Sequence, residues 1–358
     1  MSEWHNVVLT EDTSIREAMR LIDASGLRIA LVWDASRKLK GIITDGDIRR
    51  GLLSDKNMED RCISILQRDP LVCHPEDTRA SRKAKMQSAG VLALPIVDSE
   101  FRVVGLETIE TVNQPEPKEN VVFVMAGGFG TRLRPLTENC PKPMLPLDGK
   151  PILERILDNC VSQGFRRFVF ATHYLSEQIR SHFEDGKLWN VEIDYLHESE
   201  PLGTAGALNL LPGRFLDQSV VLLNGDILSS VNLSELLRVH SANGNEATIC
   251  VTEKNYQIPY GVIEGRGSEL LSIKEKPNLN FRINTGIYAL GPDFVRSVPE
   301  NVEIDIPSLI QRRLKAQKKV GFYVSHDYWL DIGTMSDYRK AQQDIVWLDA
   351  SAATKGSF

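Results

Sequence analysis

Residues 121–137 read Val121-Val-Phe-Val-Met-Ala126-Gly-Gly-Phe-Gly130-Thr-Arg132-Leu-Arg-Pro-Leu-Thr137. The six apolar residues Val121–Ala126 are far too few for a membrane span and the right length for a buried strand. Glycines at 127, 128 and 130 follow, then a basic segment expected to open a helix. A buried strand running into glycines and a basic helix start is the outline of a phosphate cradle. Glycine lets the backbone approach an oxyanion, and loop N–H groups with a helix terminus supply positive potential. The spacing is neither GxGxxG nor GxxxxGK[ST]. Taken alone, such a loop can equally be a structural tight turn.

Upstream of this strand lies the clearest boundary, Asn113-Gln-Pro115-Glu-Pro117-Lys-Glu-Asn120. Its prolines forbid helix continuation and stiffen a joint. The first half, residues 1–113, repeats itself. Glu11-Asp-Thr13 recurs as Glu76-Asp-Thr78. Each copy then runs through an amphipathic stretch to a glycine (Gly26, Gly90), an apolar strand (Ile29–Trp33, Leu92–Val97) and a strand opening on glycine (Gly41, Gly105). A unit this short cannot cover its own hydrophobic face, so the two copies are expected to pack together. The half resembles a tandem cystathionine-β-synthase (CBS) domain pair, a small α+β module. The resemblance is carried by Gly41-Ile-Ile-Thr44-Asp-Gly-Asp47-Ile-Arg49. It implies a regulatory nucleotide, with Thr44 at a phosphate or ribose hydroxyl and Asp47 at the ribose. Asp47 could instead serve only as a helix cap. The second copy, Gly105-Leu-Glu-Thr108-Ile-Glu110, lacks the Thr-x-x-Asp turn.

Composition narrows the classes. The 358 residues are 42% hydrophobic and 25% charged, which is ordinary for a globular protein. Lys and Arg number 42 against 48 Asp and Glu, a net charge of −6, with pI ≈ 5.7. A dedicated nucleic-acid binder would usually carry the opposite balance. No apolar run suits a membrane span, and the N-terminus does not read as a signal peptide. Five scattered cysteines without a CxxC pair read as reduced thiols. The expectation is a cytoplasmic homo-oligomer without nucleic-acid or membrane partners. The histidines show no metal-ligand spacing and are taken as ordinary core or surface residues.

The second half carries a longer run of motifs. Gly127-Gly-x-Gly-Thr-Arg132 is followed by Pro141-Lys142-Pro and Glu198-x-x-Pro-Leu-Gly203-Thr204-Ala-Gly. Then come Leu223-Asn-Gly-Asp226, Tyr260-Gly261, Glu275-Lys276-Pro, Asn284-Thr-Gly and Trp329-Leu-Asp331. Over about 120–342 this chain resembles sugar-1-phosphate nucleotidyltransferases, closest in motif to mannose-1-phosphate guanylyltransferase-like enzymes. The resemblance implies an α/β, GT-A-like doubly wound mixed sheet over 120–345; residues 346–358, ending Ser351-Ala-Ala-Thr-Lys-Gly-Ser-Phe358, read as a tail. It also implies the substrates, an NTP and a sugar 1-phosphate. Residues 126–131 (Ala126, Gly127, Gly128, Gly130, Thr131) would cradle phosphates. Arg132 would meet the leaving pyrophosphate and Lys142 the α-phosphate. Gly261, Glu275, Lys276 and Asn284 would hold the sugar phosphate.

The chemistry of the residue types agrees. Joining two polyanions calls for cations and N–H donors rather than a strong base, and Arg132 offers a planar fork to phosphate. Asp226 follows the apolar run Val220–Leu223, at a strand's carboxyl end, where open sheets bind ligands. Asp226 and Asp331 match the one or two carboxylates that Mg²⁺ usually takes beside phosphates; Asp331 alone could be a helix cap. Gly203 and Thr204 would floor a nucleobase, with Glu198 at its edge. A carboxylate only accepts, and guanine offers adjacent N–H donors, so the pattern leans to GTP; UTP, dTTP and CTP remain alternatives. A different class, a degenerate nucleotide-binding regulator, should have lost at least one of Arg132, Lys142, Asp226, Lys276 and Asp331, and none is lost.

Overall fold

In the computed structural model, residues 3–198, 200–300 and 302–355 are described. The chain divides into two compact units, Met1–Pro115 and Glu116–Phe358. The first unit shows the repeat in its hydrogen bonds. Helix Ile15–Ser25 is capped by Ser14 and helix Arg79–Ala89 by Thr78; both end on a left-handed glycine, Gly26 and Gly90. Each helix leads into an antiparallel pair, Ile29–Trp33 with Leu39–Thr44 and Ala93–Val97 with Val103–Thr108, and each pair has its irregularity at the matching step. The copies share one core: Ile29, Leu31, Leu39 and Ile42 pack with Ala93, Val97, Val103 and Leu106.

The second unit is built on a seven-stranded mixed sheet. Its strands lie in the order Glu192–His197, Phe165–Thr172, Lys118–Met125, Val220–Asn224, Asn278–Leu290, Ala247–Gln257, Val320–Val324. The first four are parallel; Asn278–Leu290 then runs antiparallel between Val220–Asn224 and Ala247–Gln257. The apolar runs are explained by burial on both faces. Val122, Val124, Phe168, Phe170, Val221 and Leu223 face one core, and Val121, Phe123, Val169, Ala171, Val220 and Leu222 the other. Among the described residues no helix is long and apolar enough to cross a membrane.

Three expectations change. The central strand starts at Lys118, whose N–H donates to the Gly164 carbonyl, so the joint is shorter than 113–120. The basic segment after the glycine loop forms a three-residue 3-10 turn, Thr131–Leu133, not a helix start. The stretch from 346 is no separate tail. Helix Met335–Lys355 continues through it, Leu348 packs on the core, and Arg155 pairs with Asp349 at 3.0 Å. The end of the stretch, Ala350-Ser-Ala-Ala-Thr-Lys355, has no apolar periodicity from which a helix could be read. Residues 356–358 lie outside the described residues.

Candidate active site

A cavity of ≈ 290 Å³ opens at the carboxyl ends of the parallel strands, lined by Gly127, Gly128, Phe129, Lys142, His173, Glu198, Gly203, Thr204, Asn224 and Asp226, among others. Asn224 and Met125 are register partners, so the glycine loop and the acidic turn leave the sheet side by side. Gly225 makes that possible. Its N–H donates to the Met125 carbonyl at 2.8 Å, and a Cβ there would lie 2.5 Å from the same oxygen.

The cradle is narrower than the motif suggests. The Ala126 N–H donates to the Ala171 carbonyl at 2.8 Å and is thus spent on the sheet. The Gly130 carbonyl accepts from Leu133 N–H and from Thr137 Oγ1 at 2.8 Å, closing the loop. Gly127 and Gly128 remain at the cavity wall; Thr131 and Arg132 belong to the 3-10 turn. With no long helix behind the loop, there is no helix macrodipole to draw on, and positive potential comes from side chains.

Lys142 supplies it. It opens a 3-10 turn behind Pro141, is 8% exposed, and its Nζ is ion-paired with Asp226 Oδ2. Asp331 reaches Asp226 through strand pairing. Segment Ile227–Ser229 runs antiparallel to Trp329–Asp331 with Ile227 opposite Asp331, and Ile332 N–H donates to the Asp226 carbonyl at 3.0 Å. A Cβ on Gly333 would lie 3.6 Å from an Arg132 guanidinium nitrogen and 3.7 Å from both Asp331 Oδ1 and Asp337 Oδ2. Arg132, Asp331 and Asp337 therefore converge at one point. Burial raises the Asp331 carboxyl above its ordinary value, and the Asp226 charge raises it further; Lys142 and Arg132 oppose this. The cap alternative for Asp331 does not hold. Thr334 and Asp337 cap the following helix, through Thr334 N–H to Asp337 Oδ2 at 2.8 Å.

The donor set suits a hard divalent cation. Two neighbouring carboxylates resist sharing charge, and among the described residues no group of three His, Cys, Asp or Glu forms a closed protein cage.

At the other end, Glu198 is 4% exposed. Its Oε2 accepts from Leu202 N–H at 3.1 Å, and Oε1 lies 3.4 Å from the Cβ position of Gly127. The floor is a single turn, Gly203–Gly206. Gly203 has φ +75°, and a Cβ would sit 2.6 Å from the Ile304 carbonyl oxygen, which accepts from Ala205 and Gly206 N–H. Thr204 Oγ1 accepts from Ile306 N–H at 3.0 Å, a contact that fixes the floor.

His173 was missed by spacing arguments. Its Nδ1 lies 2.7 Å from the Glu198 carbonyl, and Phe129 packs edge-on to its ring at 5.3 Å. The carbonyl can only accept, so Nδ1 carries the hydrogen of this contact. The one available signal was position, immediately after the apolar strand Phe165–Thr172.

The four sugar-phosphate candidates are not brought to the cavity. Gly261 and Glu275 neighbour one another, a Gly261 Cβ lying 3.0 Å from Glu275 Oε2, and Lys276 N–H donates to the Tyr260 carbonyl. All three are exposed on a β-ribbon beyond the sheet. Asn284 donates to Tyr288 Oη at 2.6 Å and accepts from Gly286 N–H at 3.0 Å.

In the first unit, Asp47 is 8% exposed and already engaged. Its Oδ2 accepts from Thr44 N–H at 2.8 Å and Thr44 Oγ1 at 2.6 Å, and Oδ1 pairs with Arg50. Asp47 thus works as a cap, because a carboxylate three residues past a threonine closes a capping box. A groove of ≈ 690 Å³ is lined instead by Thr44, Asp45, Gly46 and Arg50, among others. In the second copy Thr111 takes the capping place of Asp47, and Glu107 is paired with Arg82 at 3.0 Å.

A family model described as nucleotidyl transferase matches residues 121–346, and one for the CBS domain matches residues 1–54. The mannose-1-phosphate guanylyltransferase of Mycobacterium tuberculosis (strain ATCC 25618 / H37Rv) is 31% identical over 229 residues, covering 62% of this chain and 64% of that protein. The UTP--glucose-1-phosphate uridylyltransferase of Synechocystis sp. (strain ATCC 27184 / PCC 6803 / Kazusa) is 31% identical over 243 residues, covering 63% of each. This chain therefore spans under two thirds of the length of these relatives. Among solved structures, HddC from Yersinia pseudotuberculosis complexed with GMP-PN is similar at 25% identity and TM-score 0.51, over 63% of this chain and 99% of that one.

Proposed function

Because the chain belongs to the nucleotidyl transferase family, we propose that it transfers a guanylyl group from GTP to a sugar 1-phosphate, releasing pyrophosphate. The observation that carries the reading is one cavity lined by Lys142, ion-paired Asp226 and buried Glu198, with Asp331 and Arg132 near enough to that pair to feel its charge. A phosphate oxygen of the sugar 1-phosphate forms a bond to the α-phosphorus, and the bond from that phosphorus to the bridging oxygen of pyrophosphate breaks. The nucleophile is already anionic, so no side chain has to take a proton. Lys142 Nζ holds the α-phosphoryl oxygens, and Arg132 with the Gly127 and Gly128 amides holds the departing pyrophosphate. Asp226 and Asp331 would hold Mg²⁺, which when bound neutralises phosphate charge in the transition state.

The base is read by a carboxylate. Glu198 Oε1, an acceptor only, complements the adjacent N1–H and N2–H₂ of guanine. A uridylyl reading has the Synechocystis relative in its favour, but uracil presents a single N–H flanked by acceptors. Glu275 and Lys276, exposed on the ribbon outside the cavity, are assigned to the sugar phosphate on the motif resemblance alone. The Thr44 groove is assigned to a regulatory nucleotide, held through Thr44, Gly46 and Arg50, not Asp47. The test is a pyrophosphate-release assay crossing GTP, UTP, dTTP and CTP with a panel of sugar 1-phosphates. GTP preferred by the parent, and weakened by ~1–3 kcal/mol in Glu198→Gln, supports the reading. A parent that prefers UTP or dTTP overturns it.

A further inference from the structure

Of the six polar side chains on the wall of the cavity, five are engaged within the protein. Lys142 pairs with Asp226, and His173 bonds the Glu198 carbonyl at 2.7 Å. Glu198 Oε2 accepts from Leu202 N–H at 3.1 Å, and Thr204 Oγ1 from Ile306 N–H at 3.0 Å. The sixth is Asn224, the last residue of the strand Val220–Asn224 and two residues before Asp226. Its carboxamide has no hydrogen-bond partner among the described residues.

The backbone around this amide is shaped to admit it. Strand Asn278–Leu290 runs antiparallel beside Val220–Asn224, with Leu223 opposite Ile287. Gly286, one residue before Ile287, has φ +72°. A Cβ there would lie 2.5 Å from Asn224 Nδ2 and 3.0 Å from its Cγ, so any side chain at 286 would displace the carboxamide. The Gly286 N–H is spent on Asn284 Oδ1 at 3.0 Å, which leaves the amide room but not this donor. Asparagine is depleted in strands, so propensity does not account for an amide after four buried apolar residues. Asn224 is half-buried. Solvent can serve its two donors and two lone pairs, but a substrate that displaced solvent and offered nothing in return would strand them at a cost.

We propose that the Asn224 carboxamide bonds a ring hydroxyl of a substrate sugar and so determines which sugar the cavity accepts, an assignment that rests on the nucleotidyl-transfer reading of the same cavity. A hydroxyl donates and accepts, as the carboxamide does. Phosphate oxygens only accept, and Lys142 and Arg132 answer them with charge. Position narrows the hydroxyl further. Two residues of chain span at most ~7 Å, so Asn224 stands close to the carboxylate assigned to the metal on the phosphates. It therefore meets the hydroxyl nearest a phosphate ester. Each substrate has one, the 3′-hydroxyl of the nucleotide's ribose and the 2-hydroxyl of the sugar 1-phosphate. A site built to bond a hydroxyl rejects the analogue lacking it far more strongly than a site that only surrounds it.

The test removes residue and hydroxyl separately and together. On the full chain, kcat/KM is measured for the parent and Asn224→Ala with the NTP and sugar 1-phosphate the parent prefers, and with their 3′-deoxy and 2-deoxy analogues. The parent should lose ~10-fold or more with one of the two analogues, and Asn224→Ala should bring that ratio to about unity while leaving the other ratio unchanged. The analogue that responds tells ribose from sugar 1-phosphate. Asn224→Leu, with the same branching and no polar atom, carries the comparison if Asn224→Ala does not fold. A parent indifferent to both hydroxyls overturns the proposal. So does a folded variant that loses rate but keeps both ratios, which is the mark of a structural role. A parent that prefers UTP overturns the guanine assignment alone, since the comparison runs on whichever nucleotide is used. With a parent that turns over no pair, the transferase reading fails, and calorimetric dissociation constants for GTP, a sugar 1-phosphate and the same analogues decide the hydroxyl contact by the same ratios.

Discussion

Replacing Lys142 by methionine separates what the lysine does for the fold from what it does for phosphate. The side chain is 9% exposed and its partner carboxylate, on Asp226, 26%. Methionine keeps the buried stem, so the change removes charge and little packing. Breaking one member of a fully buried pair costs ~3–5 kcal/mol, most of it the charge left behind. Asp226 keeps a quarter of its exposure, which lowers the figure to ~2–3 kcal/mol; Asp331 beside it works against further relief. For a unit the size of Glu116–Phe358, ~2–4 °C per kcal/mol puts the drop in Tm at ~4–12 °C. The double variant Lys142→Met with Asp226→Asn strands no charge and should recover most of that loss. Turnover should not recover. It should fall by ~10²–10³ in the single variant and stay down in the double, because a fixed cation at the α-phosphoryl group is missing from both. Calorimetric melts without substrate, with initial rates on the same samples, check both halves. A single variant melting with the parent, or a double variant no more stable than the single, would refute the account of the pair.

Asp331→Asn should stabilise the metal-free protein at pH 7 while lowering turnover by ~10²-fold. Its carboxyl is raised above the unfolded value, so the fold disfavours the charged form; that penalty is absent below the carboxylate range and grows as pH rises through it. Parent and variant melts should therefore coincide near pH 3 and diverge towards pH 7, with the variant higher, and coincidence at pH 7 would remove the argument. Gly203→Ala should cost ~2–4 kcal/mol, from left-handed strain plus a clash with the Ile304 carbonyl. Gly213→Ala, with nothing within 4 Å of the new methyl, should stay within ~0.5 kcal/mol. Equal chemical denaturation midpoints for the two would show that Gly203 is not a required glycine.

What was legible in the amino-acid order is what short-range chemistry governs. Apolar runs announce strands buried on both faces, and the glycine cluster after Val121–Met125 announces a chain reversal with close backbone approach. Ser14, Thr44, Thr78 and Thr108 cap helices at matching places in a duplicated unit, and each acts within three residues of its own position. Local signals were ambiguous where one residue type serves two local purposes. The same Thr-x-x-Asp spacing that suggests a ribose contact also closes a capping box, and the fold uses it so.

Tertiary structure alone decided which distant residues meet. Asp226 and Asp331 are joined because Ile227–Ser229 pairs with Trp329–Asp331, a match that no periodicity encodes. His173 lines the cavity because parallel strands end together there, which places the residue after each strand beside those after its neighbours. Strand and turn propensities act over a few residues, whereas register and burial are set by the whole sheet.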